Sequence, residues 1–171
     1  MGKLGLSLPY YSLHLDVVVH LSRDATQKLI RQVKWIPPLN NIIRANVGDS
    51  SVSNPGRSSF GGLMRNHNGE WMLGLSGFCG ITSCLTTELY VIFHGLRIAC
   101  DVGHMNIIRE SDSRMALDLI MSYIQPYHPR APLINQIVQL QHRDWIVNFH
   151  HTLRQGNKCA ASFSSGCCSG S

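Results

Sequence analysis

Four side chains in this sequence can bind hard cations or move protons and stand beside the ends of regular elements: Asp49, Glu88, Asp112 and His151. Carboxylates supply the oxygen ligands that magnesium takes, and an imidazole changes charge near neutral pH. Each also has an ordinary structural use. Glu88 stands next to an apolar helical stripe, where an acid is commonly solvated, and Asp112 precedes a helix, where an aspartate commonly caps the first turn. His151 reads as an exposed loop histidine. The run Ser50, Ser51, Asn54 and Gly56 reads as a polar turn, in which Pro55 fixes one dihedral and Gly56 supplies the permissive one.

The elements that must position these residues follow from hydrophobic period. Ile42 to Val47, Phe60 to Arg65 and Glu70 to Ser76 read as three antiparallel strands, the last two joined by Asn66-His67-Asn68-Gly69, whose Asn-Gly favours a tight hairpin. The period then changes. Leu85, Leu89, Ile92, Leu96 and Ala99 recur at intervals of three and four, which predicts a helix from about Thr82 to Cys100 that is ended by Gly103. Met105 to Ser111 reads as a strand leading into a helix with Leu117, Ile120, Met121 and Ile124 on one side. Pro126 and Pro129 separate this from a helix beginning near Pro132 that carries Ile134, Ile137 and Val138. Trp145, Val147 and Phe149 alternate as a fifth strand, and a last helix is expected from about Asn157. The order β-β-β-α-β-α-α-β-α is an α/β layer architecture with a mixed five-stranded sheet flanked by helices.

Length and composition agree with one folded domain. The chain has 171 residues, 44% of them hydrophobic and 15% charged, which excludes a largely disordered chain. Residues 40–165 form the expected domain. Residues 1–39, closing on Trp35-Ile36-Pro37-Pro38, read as a leader and linker, with Leu15 to Leu21 open to either helix or strand. Residues 166–171 read as a disordered tail. A formal charge of +5 and a pI near 9.0 suit a polyanionic partner. The first twenty residues contain no clean signal or membrane span, and none of the six cysteines forms a C-x-x-C pair, so no structural zinc site is predicted. Free thiols in a reducing intracellular setting, nucleus or cytoplasm, are expected, with no membrane partner and a monomer as the default.

Six short stretches in order carry a resemblance. They are Asn46-Val47-Gly48-Asp49-Ser50-Ser51, Asn54-Pro55-Gly56, Phe60-Gly61-Gly62-Leu63-Met64-Arg65, Thr87-Glu88-Leu89, Glu110-Ser111-Asp112-Ser113, and His151 through Ala161. With this spacing the chain resembles the ribonuclease H type 1 family, and most closely its plant, retrotransposon-derived branch, over about residues 40–163. The resemblance implies a ribonuclease H-like fold. It also implies an enzyme that hydrolyses the RNA strand of an RNA/DNA hybrid with two magnesium (or manganese) ions, about 3.5–4 Å apart and held by clustered carboxylates.

Under that resemblance Glu88 and Asp112 match two of the family's four acidic metal ligands, and His151 matches its mobile histidine, with Arg154 and Asn157 beside it. The other two acids are displaced. Counting back from Asn54-Pro55-Gly56 puts Gly48 where the first aspartate belongs and Asp49 where its glycine belongs, and the fourth acid falls at Ala161. Side chains alternate along a strand, so Asp49 is expected to point away from the family's target unless a bulge re-aims it, and to substitute poorly as a ligand. Ser50, Ser51, Asn54 and Gly56 fall where the family touches the minor groove of a hybrid or other RNA-like duplex. Arg57, Arg65 and Arg154 are candidate phosphate neighbours. The expected function is a hybrid ribonuclease with weakened or lost activity; the alternative is a non-catalytic nucleic-acid-binding module derived from a retroelement.

Overall fold

In the computed structural model, residues 3–6, 15–21, 38–51, 53–122 and 126–152 are described, the first two segments as backbone only. Strands β1 (Lys3–Leu6), β2 (Leu15–Leu21), β3 (Ile43–Ser51), β4 (Gly56–Arg65) and β5 (Trp71–Thr82) precede helix α1 (Cys84–Asp101). Strand β6 (Asn106–Ser111), helices α2 (Arg114–Met121) and α3 (Ala131–Gln141), and strand β7 (Ile146–His151) follow. The strands form one mixed sheet in the order β1-β2-β5-β4-β3-β6-β7.

The expected five strands form the middle and one side of this sheet. Strands β3, β4 and β5 are an antiparallel meander, while β6 lies parallel to β3 and β7 parallel to β6. The sheet is wider than expected because Leu15–Leu21 is a strand. It pairs antiparallel with β5 from Val17–Gly77 to Leu21–Leu73, and β1 pairs with β2 in turn. The final helix expected from Asn157 and the tail from residue 166 lie outside the described residues.

Each turn has a local cause. Between β4 and β5, the Asn66 Oδ1 accepts the N–H groups of Asn68 and Glu70 at 3.0 Å each, and Gly69 takes the left-handed φ of 82° that a side chain would resist. Ser83 caps α1 by accepting the Thr86 N–H at 3.2 Å. Gly103, with φ of 80°, ends that helix, and His104 N–H returns to the Ala99 carbonyl.

Helix α1 crosses β3 and β4 and buries Leu89, Ile92, Leu96 and Ala99 completely against Ala45, Val47, Phe60, Met64 and Leu75. Ile134 and Ile137 of α3 and Leu117 and Ile120 of α2 complete this layer. Met121 departs from the expected stripe: it is 61% exposed, because α2 ends there as Ser122 turns to extended backbone. Ile124 lies outside the described residues. Since Ile92 packs with no exposed surface, Ile92→Ala is expected to cost about 2–5 kcal/mol through lost contacts and a residual cavity. A urea denaturation midpoint compared with that of the native chain measures the loss.

Candidate functional site

The C-terminal ends of parallel strands β3, β6 and β7 meet beside the second turn of α1. Alternation along β3 puts Ile43, Ala45 and Val47 on the face that α1 covers, and Asp49 continues that series. Its cross-strand partner is Phe60, a fully buried ring stacked on His94 of α1 with centroids 5.7 Å apart. The β3–β4 pairing runs without a shift from Arg44–Arg65 to Ser51–Ser58, so no bulge in that ladder re-aims the aspartate. Asp49 is therefore on the helix face by plain strand geometry.

There it meets Glu88. The Glu88 side chain, 3% exposed, is hydrogen-bonded to Asp49 and accepts the Ser111 hydroxyl at 3.1 Å. Burial raises the Glu88 pKa well above the usual carboxylate range, and the negative charges of Asp49 and Asp112 raise it further; the Ser111 hydrogen bond opposes them. Each of these causes except the Ser111 hydrogen bond favours the protonated form of Glu88 over its carboxylate.

Asp112 follows directly on β6, held by a small hydrogen-bonded turn in which Ser111 Oγ accepts the Ser113 N–H at 3.1 Å while donating to Glu88. It does not cap α2. Ser113 does, accepting the Ala116 N–H at 3.3 Å. The structure thus brings Asp49, Glu88 and Asp112 into one electrostatic cluster. His151 ends β7 opposite Ser111, exposed at the same strand ends. The buried Cys79 thiol lies on this side too, its pKa pushed up to about 12 by burial, with Asp49 adding to the rise and a hydrogen bond from Thr87 opposing it.

Gly48 is on the other face of the sheet. That face carries Asn46 and Glu110, opposite one another across β3 and β6, where the Asn46 amide donates to Glu110 at 2.5 Å and Arg44 pairs with the same carboxylate at 2.8 Å. Val47 pairs with Ser111, so position 48 lies one step beyond, beside Asp112. Position 49 thus faces the α1 side and position 48 the opposite side, and sequence alternation alone did not supply the neighbour of Asp49, the buried helix acid Glu88.

The loop residues are largely engaged within the protein. Asn54 Oδ1 accepts the Cys84 N–H at 3.1 Å and so ties the loop to the start of α1. Ser51 donates to the Ser53 carbonyl and accepts the Ser58 hydroxyl. Gly56 is required by close approach, since a Cβ there would stand 2.2 Å from Ser53 Oγ. Ser50 is half-buried opposite Ser59. Arg57 lies over the Phe78 ring at 5.7 Å. Arg154, Asn157 and Ala161 lie outside the described residues.

Two arginines carry contacts that the motif reading did not single out. Arg130, just before α3, donates to Thr86 Oγ1 and Ser83 Oγ at 3.1 Å each, fastening the segment before α3 to the start of α1. Arg109 is fully buried under α1. The alternation Ile107, Arg109, Ser111 on one strand face was the available signal for it.

The donor set present does not fit a pair of divalent ions. Among the described residues no group of three or more His, Cys, Asp or Glu side chains is arranged to hold a metal ion. The reason is chemical as well as geometric, because burial and neighbouring negative charges penalise the ionised form of Glu88 that a hard cation would need.

Comparison with known proteins agrees with this architecture. Residues 47–167 match the family described as reverse transcriptase-like. An Arabidopsis thaliana protein named, provisionally, a ribonuclease H protein is 28% identical over 145 residues, which cover 85% of this chain and 23% of that protein. The chain therefore spans about a quarter of the length of this relative. The N-terminal ribonuclease H domain of a Mycobacterium tuberculosis protein, solved as a fusion with maltose binding protein, superposes with a TM-score of 0.66 at 19% identity, over 73% of this chain and 91% of that one. LC11 ribonuclease H1, solved in complex with an RNA/DNA hybrid, gives 0.66 at 17% identity, over 72% and 94%.

Proposed function

Because the chain belongs to the reverse transcriptase-like family and has the ribonuclease H-like fold, we propose that it binds RNA/DNA hybrid or a similar A-form duplex and cleaves the RNA strand weakly or not at all. The observation that carries the reading is that Glu88 is buried, 3% exposed and bonded to Ser111, and that among the described residues no three acidic, histidine or cysteine side chains are arranged to hold a metal ion. Burial and the charges of Asp49 and Asp112 raise the Glu88 pKa, which disfavours the ionised form a working acidic set needs. In this reading Glu88, Asp112 and Asp49 are the remnant of the site that holds magnesium or manganese in a complete ribonuclease H, and His151 stands by the same strand ends. The basic balance of the chain, +5, supplies the sequence-independent attraction to phosphates. Ser50, Ser51, Asn54 and Gly56, with Arg154 and Asn157, are the proposed contacts to the minor groove, where 2′-hydroxyls distinguish RNA from DNA. A binding-only module is the limiting case, favoured by Ala161, which offers no oxygen where the family's fourth acid belongs.

An end-labelled hybrid incubated with the chain in magnesium or manganese tests both parts on one gel. A retarded complex is expected, weakened by added salt, together with slow cleavage or none. Any slow cleavage should vanish in Glu88→Ala. Rapid turnover, cleavage that survives Glu88→Ala, or absence of a complex would each contradict the proposal.

A further inference from the structure

Helices α1 and α3 run side by side in the same direction. Arg130, before α3, holds Ser83 and Thr86 at the start of α1, and Arg143, just after α3, donates to Cys100 Sγ at 3.5 Å near the end of α1. Their C-terminal halves leave a cleft of about 310 Å³ between them, with the buried side chains of Phe93 and Leu140 as its floor. This is the end of α1 away from the acid cluster: nine residues of helix, a rise of about 14 Å, separate Glu88 from Arg97.

Arg97 and Arg143 both line the cleft, and neither guanidinium is strongly engaged. Arg97 has the Asp101 carboxylate 4.0 Å away on a side chain that is 65% exposed, a contact that water weakens, and Arg143 has only a thiol, a weak acceptor. On the α3 side, Gln139 and the half-buried Gln136 add amides that can donate to or accept from a main chain. Beyond the end of α1, three apolar side chains face water. Val102, which closes the helix, is 52% exposed, Met105 is 62% exposed, and Ile146, whose N–H donates to the Met105 carbonyl, is 58% exposed.

We propose that this end of the molecule is a docking surface for a short peptide segment of a protein partner, one that carries apolar side chains and one or two carboxylates. The apolar side chains cover Val102, Met105 and Ile146, and the carboxylates meet Arg97 and Arg143. Charge complementarity selects the acids, since a guanidinium fork receives a carboxylate through two parallel hydrogen bonds. Apolar contact bordered by arginine is also the composition of protein interfaces. A nucleic-acid backbone fits less well. It offers nothing to the three apolar side chains, and its repeated charges would meet Asp101 and the carbonyl ends of two parallel helices. The surface is independent of the acid cluster and of the function proposed for it.

Panning a phage-displayed library of random peptides against the full chain tests the proposal. The selected peptides should be enriched in Asp or Glu together with Leu, Ile, Met or Phe. Synthetic copies, followed by fluorescence anisotropy, should bind the double variant Arg97→Gln, Arg143→Gln at least about tenfold more weakly than the native chain. Met105→Ser, which leaves both arginines in place, should weaken the same peptides by about threefold or more. Retardation of an RNA/DNA hybrid should be equal in the native chain and the double variant. No enrichment, selection of peptides without acids, or an affinity unchanged in either variant overturns the proposal. So does displacement of the peptides by single-stranded oligothymidylate, or a hybrid complex weakened in the double variant, since either would mark a phosphate site.

Discussion

Changing Gly48→Asp, Asp49→Gly and Ala161→Asp together is expected to raise cleavage of an RNA/DNA hybrid by on the order of 100-fold, equivalent to about 3 kcal/mol of barrier. Three separate effects contribute. A carboxylate at position 48 emerges on the face of Asn46 and Glu110 and one strand step beyond the Val47–Ser111 pair, which places it beside Asp112. Removing the side chain at 49 takes away one of the negative charges that raise the Glu88 pKa, so that, with burial and Asp112 still opposing it, the ionised form becomes easier to reach. An acid at 161 restores the fourth oxygen donor that the family resemblance implies. Single-turnover cleavage at saturating protein measures the gain, and a parallel Mn²⁺ titration should show tighter binding. A folded, soluble triple variant with no gain in either quantity would refute the assignment of positions 48 and 161.

Glu88→Gln should make the chain more stable in mild alkali while changing little in acid below about pH 4.5. Glu88 has a higher pKa folded than unfolded, because burial and the charges of Asp49 and Asp112 penalise its ionised form. Between those two values the folded state holds a proton that the unfolded state has lost. This contribution to stability therefore declines as pH rises from about 4.5 toward the raised folded value. Glutamine keeps a donor for Asp49 and has no proton to lose. At about pH 8 the variant should melt higher by about 2–8 °C, corresponding to about 1–2 kcal/mol at this chain length, and well below pH 4.5 the two should coincide. The difference between paired melting curves is the readout, since other carboxylates titrate equally in both proteins. Coincident curves throughout would mean that Glu88 ionises normally.

Much of the fold was legible because single residues with strong conformational demands bound its elements. Gly103 stops α1 where its φ of 80° requires glycine, and Asn66 with Gly69 closes the β4–β5 hairpin. The stripe from Leu89 to Ala99 fixed which side of α1 is buried. The added strand β2 was not legible, because Leu15 to Leu21 is an apolar run too short for period to separate strand from helix, and its partner is more than fifty residues away at β5. The acidic site was legible to the level of which residues, but not of how they interact. Parity along β3 predicts that Asp49 and Gly48 face opposite ways, whereas the hydrogen bond to Glu88 depends on how closely α1 approaches the sheet. That approach depends in turn on Phe60, His94 and the Gly95 notch around Arg109. Arg109 itself was hidden by its type, since an arginine between isoleucines invites a surface reading until the strand is known to be covered on that face.

In the proposed reading, the acid at position 49 rather than 48 lies beside the buried Glu88 and helps to raise its pKa. Carboxyl-carbon NMR titration of Glu88 examines it directly, in the native chain and in Asp49→Asn. The account predicts that Glu88 titrates well above the ordinary glutamate range in the native chain and moves back toward it when Asp49 loses its charge. An ordinary glutamate titration that is the same in both proteins would contradict it.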